Sequence, residues 1–337
     1  MSRRSIYPIF LPHAGCPHRC IFCAQVLTSA CICLPDPAVT FETLLVSLPQ
    51  SGDGELAFYG GSFTLLAEIE QQRWLELGAR LLAAGRIAAL RISTRPDAVT
   101  PAIARRLAAA GVATVELGCQ SFDPEVLRRA GRGHSGAAAA QALLLLRAEG
   151  IAVGLHLMPG LPGADVGEAL HSLEMALALQ PDFLRIHPTV VLRGTGLEKL
   201  YDSGEYQPLS LPAAVQLGAT MLRRARAANI PVIRFGLMAN ENLDSGAAVV
   251  AGPYHPAFGQ LIRSRLWFER IALLAERGCC FFRLHPADLA DVFGQHRSNF
   301  KELNNRYGPL TYECSETLSR ETIESAGVFY SLFSEKD

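Results

Sequence analysis

Cys16-Pro17-His18-Arg19-Cys20-Ile21-Phe22-Cys23 sets three thiols at Cys-x-x-x-Cys-x-x-Cys spacing near the start of the chain. No other feature constrains the fold as much, because whatever surrounds this octapeptide must present three sulfurs from one short loop. Three thiolates so placed can hold three corners of a [4Fe-4S] cube and leave the fourth iron open to an outside ligand. Thiolate-rich loops also take zinc, and His13 or His18 could close a structural zinc site as fourth ligand. A disulfide framework fits poorly: nine cysteines is an odd number at irregular spacing, and Cys279 and Cys280 are adjacent. A reducing compartment fits better.

Beyond this loop, short β-rich runs alternate with alanine- and leucine-rich stretches of helical periodicity. The runs at 6–12, 56–60, 90–94, 114–118, 152–158, 183–187 and 231–236 are predicted strands. Segments 64–82, 101–110, 136–148, 166–179 and 212–228 are predicted helices, with Pro101 and Pro212 in first-turn positions. The rhythm is that of βα units around a parallel sheet, so the expected fold is α/β, a full or partial (β/α) TIM-type barrel. The alternation fades after Gly236, which gives a barrel domain over 1–236 and a C-terminal extension over 237–337, with a helix expected at 257–276.

Composition narrows the class further. Lys plus Arg number 31 against 32 for Asp plus Glu, so no whole-chain bias points to nucleic acid or an anionic membrane. The apolar stretch 6–11 is too short for a signal-peptide core. The most apolar later segment, 137–146, falls well short of the roughly 20 residues that span a bilayer. The expectation is a cytoplasmic protein without a membrane partner.

Every unusual motif follows the carboxyl end of an expected strand, where barrel folds gather their chemistry. The cysteine loop follows the first, Gly60-Gly61-Ser62-Phe63-Thr64 the second, Ser93-Thr94-Arg95-Pro96-Asp97 the third and Cys119-Gln120-Ser121 the fourth. Met158 and Pro159-Gly160-Leu161-Pro162-Gly163 end the fifth, and Pro188-Thr189 follow the sixth. Each has a plain structural reading. Ser62 or Thr64 could cap the next helix, Arg95 could pair locally with Asp97, Glu116 could be satisfied by an arginine, and Met158 could fill the core. His156, Arg185 and His187 read as hydrogen-bonded inner-barrel residues. Gly131-Arg132-Gly133-His134-Ser135-Gly136 fits Gly-x-Gly-x-x-Gly literally, but it follows an expected helix rather than a strand, which argues against a nucleotide site. Cys279, Cys280, His285 and Cys314, or Cys31 with Cys33, could form a second metal site, although their spacings are not diagnostic and incidental thiols are the simpler reading.

The cysteine spacing, with aromatic Phe22 before the third thiol, resembles the radical S-adenosylmethionine (radical SAM) superfamily. Gly-Gly-Ser-Phe-Thr, Ser-Thr-Arg-Pro-Asp, Leu-Gly-Cys-Gln-Ser-Phe-Asp, Arg-Gly-His-Ser and Leu-Met-Pro-Gly-Leu-Pro-Gly are similar to the radical SAM half of the elongator catalytic subunit and its bacterial relatives, from about Pro8 to Phe235. The segment from Ala251 to Gly259 also resembles bacterial members of that group. The resemblance implies an enzyme with a [4Fe-4S] cluster on Cys16, Cys20 and Cys23, and S-adenosylmethionine (SAM) on its open iron. One electron then cleaves SAM to a 5′-deoxyadenosyl radical that abstracts hydrogen from a substrate.

On that resemblance Gly60, Gly61 and Ser62 hold the methionine end of SAM, and a hydroxyl residue stands at Ser62 where many members have an acid. Phe22, Thr94, Arg95, Gln120 and Met158 are further expected cofactor contacts: the Arg95 cation suits a carboxylate of SAM or of a substrate, the polar groups around Gln120 suit a ribose, and Met158 ends the strand where the family lays an apolar wall against adenine. A low-potential electron donor of flavodoxin or ferredoxin type is an implied partner. The resemblance points to a tRNA nucleoside as substrate, although 237–337 is too short for a complete acetyltransferase and the near-neutral charge shows no obvious tRNA platform. A small-molecule oxidase resembling coproporphyrinogen oxidase, and a non-catalytic zinc- or cluster-binding module, remain the alternatives.

Overall fold

The computed structural model describes residues 5–29, 34–50 and 52–333, so Cys31 and Cys33 lie outside the described residues. The chain forms two compact units, Met1–Leu209 with Ile230–Tyr254, and Ser210–Asn229 with His255–Asp337.

The first unit is built on seven parallel strands, β1 (Ile6–Leu11), β2 (Glu55–Gly60), β3 (Ala89–Thr94), β4 (Val112–Gln120), β5 (Ala152–Leu157), β6 (Phe183–Ile186) and β7 (Val232–Phe235). They pair strictly in that order, and the first and last strands are not neighbours. The sheet is therefore open, a partial rather than a full barrel. Parallel neighbours require long crossovers, and these are carried by α1 (Pro37–Ser47), α2 (Glu68–Ala83), α3 (Pro101–Ala109), α4 (Gly136–Ala148) and α5 (Val166–Ala178).

The two-residue period of the strands sorts side chains between the faces. Leu56 and Phe58 of β2, Leu90 and Ile92 of β3, and Val115 and Leu117 of β4 are completely buried or nearly so. Phe58 packs on Trp74 of α2, and Leu90 lies so close to Gly78 of the same helix that a side chain there would collide with it. Each such buried Leu or Phe stabilises the unit by about 1.5–3 kcal/mol. The alternate residues, Glu55 and Tyr59, Arg91 and Ser93, Glu116 and Gly118, His156, and Arg185, are mostly polar; many face a cavity. A sheet with one apolar and one polar face must curl its polar face around something other than core.

Helix starts follow local chemistry. Asp36 accepts from the N–H groups of Ala38 and Val39 ahead of Pro37, Thr100 caps α3 and Asp165 caps α5. α1 has no counterpart among the expected helices. The helix expected at 64–82 is a single turn, Phe63–Leu65, followed by extended Leu66 and Ala67, and α2 begins only at Glu68. Ser62 makes no capping bond, and the Thr64 hydroxyl lies 2.6 Å from that of Thr94, so neither residue caps a helix.

The second unit contains helices Leu211–Ala227 and Phe258–Glu276, packed on each other, and a four-stranded sheet. Phe281–Leu284 runs parallel to Thr311–Cys314 and antiparallel to Thr322–Ser325, which turns back into Val328–Ser331. Among the described residues no helix is long and apolar enough to cross a membrane.

Candidate functional site

A cavity of about 300 Å³ opens at the carboxyl ends of the first unit's strands, and it is lined by Cys16, Cys20, Cys23, Phe22, Gly60, Gly61, Ser62, Thr94, Arg95, Gln120 and Met158. All eleven sequence-predicted site residues thus meet in one place, contributed by the first five strands and the loops that follow them.

The cysteine loop is pinned at four points of backbone. Gly61 N–H donates to the Leu11 carbonyl at 2.9 Å and Ser62 N–H to that of Ala14 at 2.7 Å, which ties the turn after β2 to the segment leading into the cysteines. Ile21 N–H donates to Ala130, and its carbonyl accepts from Leu197. Gly60 has φ +93, open to glycine and strained for anything larger. At Gly61 a Cβ would collide with the Ala14 carbonyl oxygen and stand 2.7 Å from its carbon. Bare backbone is therefore obligatory where the loop and the turn touch.

All three thiols are free of disulfides. Burial raises the Cys16 thiol above its ordinary range, against a hydrogen bond from Ser62, whose Oγ lies 3.7 Å from Cys16 Sγ. Burial, then the charges of Cys20 and Cys16, push Cys23 up to about 12. Three thiolates persist together here only with a compensating cation, and an iron-sulfur cluster meets that need. Three free thiols lining one cavity are the donor set that a cluster with one open iron would take.

Arg132 is a site residue that sequence reasoning missed. Its guanidinium donates to Cys20 Sγ at 3.2 Å and to the Gly118 carbonyl at 2.6 Å, so the glycine-rich run after helix Pro124–Arg129 braces a cysteine. A charge one residue before Gly133, inside a loop that must approach closely, was the available signal. Arg95 is buried and held by Asp97 through two bonds of 2.8 and 3.0 Å, and it donates to the Arg132 carbonyl at 2.5 Å. The local Arg95–Asp97 pair is therefore formed. Burial works to raise the Asp97 carboxyl, but Arg95 holds it below its usual range. Thr94 is likewise engaged, with Thr64.

Phe22 and Met158 pack with Val126, Ala130 and Leu161 in one apolar cluster at the cavity wall. Opposite in character is Gln120, whose backbone is left-handed at φ 64 beside a register shift in β4, and whose buried Oε1 has no hydrogen-bond partner. A buried amide oxygen left unsatisfied is costly. Together these groups offer an apolar wall and an unmet acceptor beside the thiols, as a nucleoside-bearing cofactor requires.

Deeper along the strands a buried ion network crosses four of them. Glu116 accepts from Arg91 at 2.8 Å, Arg185 at 2.7 Å and Tyr59 Oη at 2.8 Å, and Arg91 also donates to Glu55 at 2.6 Å. Burial opposes ionisation of Glu116, yet Arg185 and Arg91 hold its carboxyl below the ordinary value. Arginine thus satisfies Glu116. His156 and His187 do not match their plain reading: their rings meet edge to face with centroids 4.4 Å apart, and each Nε2 is buried without a partner.

Comparison with known proteins is consistent with this geometry. A sequence model described as the Radical SAM superfamily matches residues 10–176, and one described as the Radical_SAM C-terminal domain matches 181–267. The tRNA uridine(34) acetyltransferase of Methanocaldococcus infernus is 29% identical over 262 residues, covering 64% of this chain and 49% of that protein. Elongator complex protein 3 of Mus musculus is 35% identical over 135 residues, covering 39% and 24%. The structure of the archaeal Methanocaldococcus infernus Elp3 lacking its N-terminus superposes with a TM-score of 0.61 at 23% identity, over 80% of this chain and 63% of that one, which is a likeness of fold. The chain spans about half the length of the archaeal curated relatives it matches.

Proposed function

Because the chain belongs to the radical SAM superfamily of enzymes, we propose that it carries a [4Fe-4S] cluster on Cys16, Cys20 and Cys23, binds SAM beside it, and acts on a uridine of tRNA. The observation that carries the reading is the meeting of three free thiols, the bare Gly60-Gly61 backbone and the unsatisfied Gln120 amide around one cavity. When bound, the reduced cluster supplies the electron that cleaves SAM to a 5′-deoxyadenosyl radical, which takes hydrogen from the substrate.

The protein's own residues bind and orient. Gly60 and Gly61 would offer bare backbone to the methionine end of SAM, and the Ser62 hydroxyl lies 3.7 Å from the Cys16 sulfur. Phe22 and Met158 supply an apolar surface for adenine, and Gln120 Oε1 accepts from a ribose hydroxyl. Arg132 donates to the Cys20 sulfur and holds it in place. Thr94 and Arg95 act from behind: Arg95 ties Asp97 to the Arg132 loop and so positions the thiols.

The substrate class rests on the relatives, named for a tRNA uridine. A cytoplasmic setting and a low-potential flavodoxin- or ferredoxin-type donor complete the reading. Its test is anaerobic incubation of the reconstituted enzyme with SAM, reductant and tRNA. Formation of 5′-deoxyadenosine that rises when tRNA is added supports it, and formation indifferent to tRNA would reject the substrate.

A further inference from the structure

The ion network and histidine pair at the cavity floor have no task in holding the cluster or SAM. Glu116, Arg185, His156 and His187 all line the cavity, and His156 is level with Arg185 across the β5–β6 pairing and with Gly118 across β4–β5. The Nε2 atoms of both histidines and the Nε of Arg185 are buried with no hydrogen-bond partner. Three buried polar atoms left unmet at one spot are expensive, and the usual remedy is a ligand or water that meets them.

The two rings narrow the choice of ligand. Glu55 and Glu116 are paired with Arg91 and Arg185, and the charges of Arg132 and Arg234 also reach the rings. Burial, then Arg185 and Arg132, press the His156 ring down to about 3 against the pull of Glu116, and burial, then His156, Arg185 and Arg234, hold His187 well below its ordinary value. Both rings are neutral near pH 7, and a neutral imidazole offers one donor and one acceptor nitrogen. A planar heterocycle with alternating acceptors and donors would find a partner for each at these atoms.

We propose that His156, His187 and the Nε of Arg185 form the recognition floor for the substrate's base, reading the imide edge of a uracil by hydrogen bonds to its N3–H and flanking carbonyls. This inference rests on the nucleoside reading above and adds the residues that select the base.

The test uses the reconstituted full chain with SAM and a fluorescent anticodon hairpin carrying either uridine or 3-methyluridine at position 34, with affinity measured by anisotropy. Methylation removes the N3–H donor. On the unmutated protein it should weaken binding about tenfold or more, the cost of leaving one buried polar group unsatisfied. In His156→Leu and His187→Leu the difference between the two RNAs should shrink to about twofold or less. Equal affinity of the unmutated protein for both RNAs would overturn the floor while leaving the radical SAM reading standing. Discrimination that persists in both variants would also overturn it. A loss of SAM affinity in both variants matching the loss of RNA discrimination would assign the floor to the cofactor instead. Failure of the unmutated protein to bind either hairpin would reject the tRNA reading and this inference with it.

Discussion

Glu116→Gln probes the ion network directly. The carboxylate is 5% exposed and receives three bonds, from Arg91, Arg185 and Tyr59. A Gln of the same shape keeps one acceptor oxygen and turns an NH2 toward a guanidinium, leaving Arg185 without a counter-ion. Breaking a buried ion pair from one side costs about 3–5 kcal/mol. Arg91 retains Glu55 at 2.6 Å, so the lower end, about 3 kcal/mol, is expected. Against a typical total of about 5–15 kcal/mol this is a large fraction. At an m-value of about 3 kcal/mol/M it lowers the urea midpoint by about 1 M.

The chain has two tryptophans, Trp74 in the first unit and Trp267 in the second. A Trp267→Phe background therefore leaves Trp74 fluorescence to report the unit that holds the network. Because the folded Glu116 carboxyl lies below its ordinary 4.5, its contribution is present above that value and is lost as pH falls through the lower, folded one. The gap between wild type and variant should then be constant from pH 8 to about 5 and narrow on further acidification. A gap under about 1 kcal/mol at pH 7, or one that widens in acid, would refute the reasoning.

Gly61→Ala drives a methyl group into the Ala14 carbonyl and strains the 2.7 Å bond from Ser62 N–H; a loss of about 1–3 kcal/mol and reduced iron per chain after reconstitution should follow, read by thermal melt and metal analysis. Arg132→Met removes the donor to Cys20 and Gly118, so the cysteine loop should load less iron while the secondary structure by circular dichroism is kept; full loading would show that Arg132 is not needed as a brace. Asp36→Ala deletes the cap on α1 and should cost about 1 kcal/mol in urea unfolding, with no change in cluster absorbance.

Much of the architecture was legible because each strand is a short apolar run closed by a turn signal, and six of the seven expected strands agree within one residue at either end. β4 runs longer, to Gln120, since a left-handed residue beside a register shift leaves no mark in composition. α1 was missed although Asp36-Pro37 is a cap followed by a first-turn proline. The second unit's sheet was missed because its strands have four residues each and pair across loops. Around the cavity, the cysteines and glycines were legible from spacing. Arg91, Glu116 and Arg185 were harder, for they lie far apart in sequence and meet only when the strands align. A lone charge inside each of Leu90-Arg91-Ile92, Val115-Glu116-Leu117 and Leu184-Arg185-Ile186 was the available sign: a charge between apolar neighbours on a buried strand must face a partner. The same logic, applied to His156 and His187, leads to a partner outside the chain.

The central claim is that Cys16, Cys20 and Cys23 hold a cluster that cleaves SAM, and it is tested most directly by anaerobic reconstitution with iron and sulfide, reduction, addition of SAM and quantification of 5′-deoxyadenosine by mass spectrometry. The account predicts cluster-dependent 5′-deoxyadenosine from the wild type and none from Cys16→Ala, Cys20→Ala or Cys23→Ala. Cleavage retained in all three variants, or a wild type that holds zinc and cleaves nothing, would contradict it.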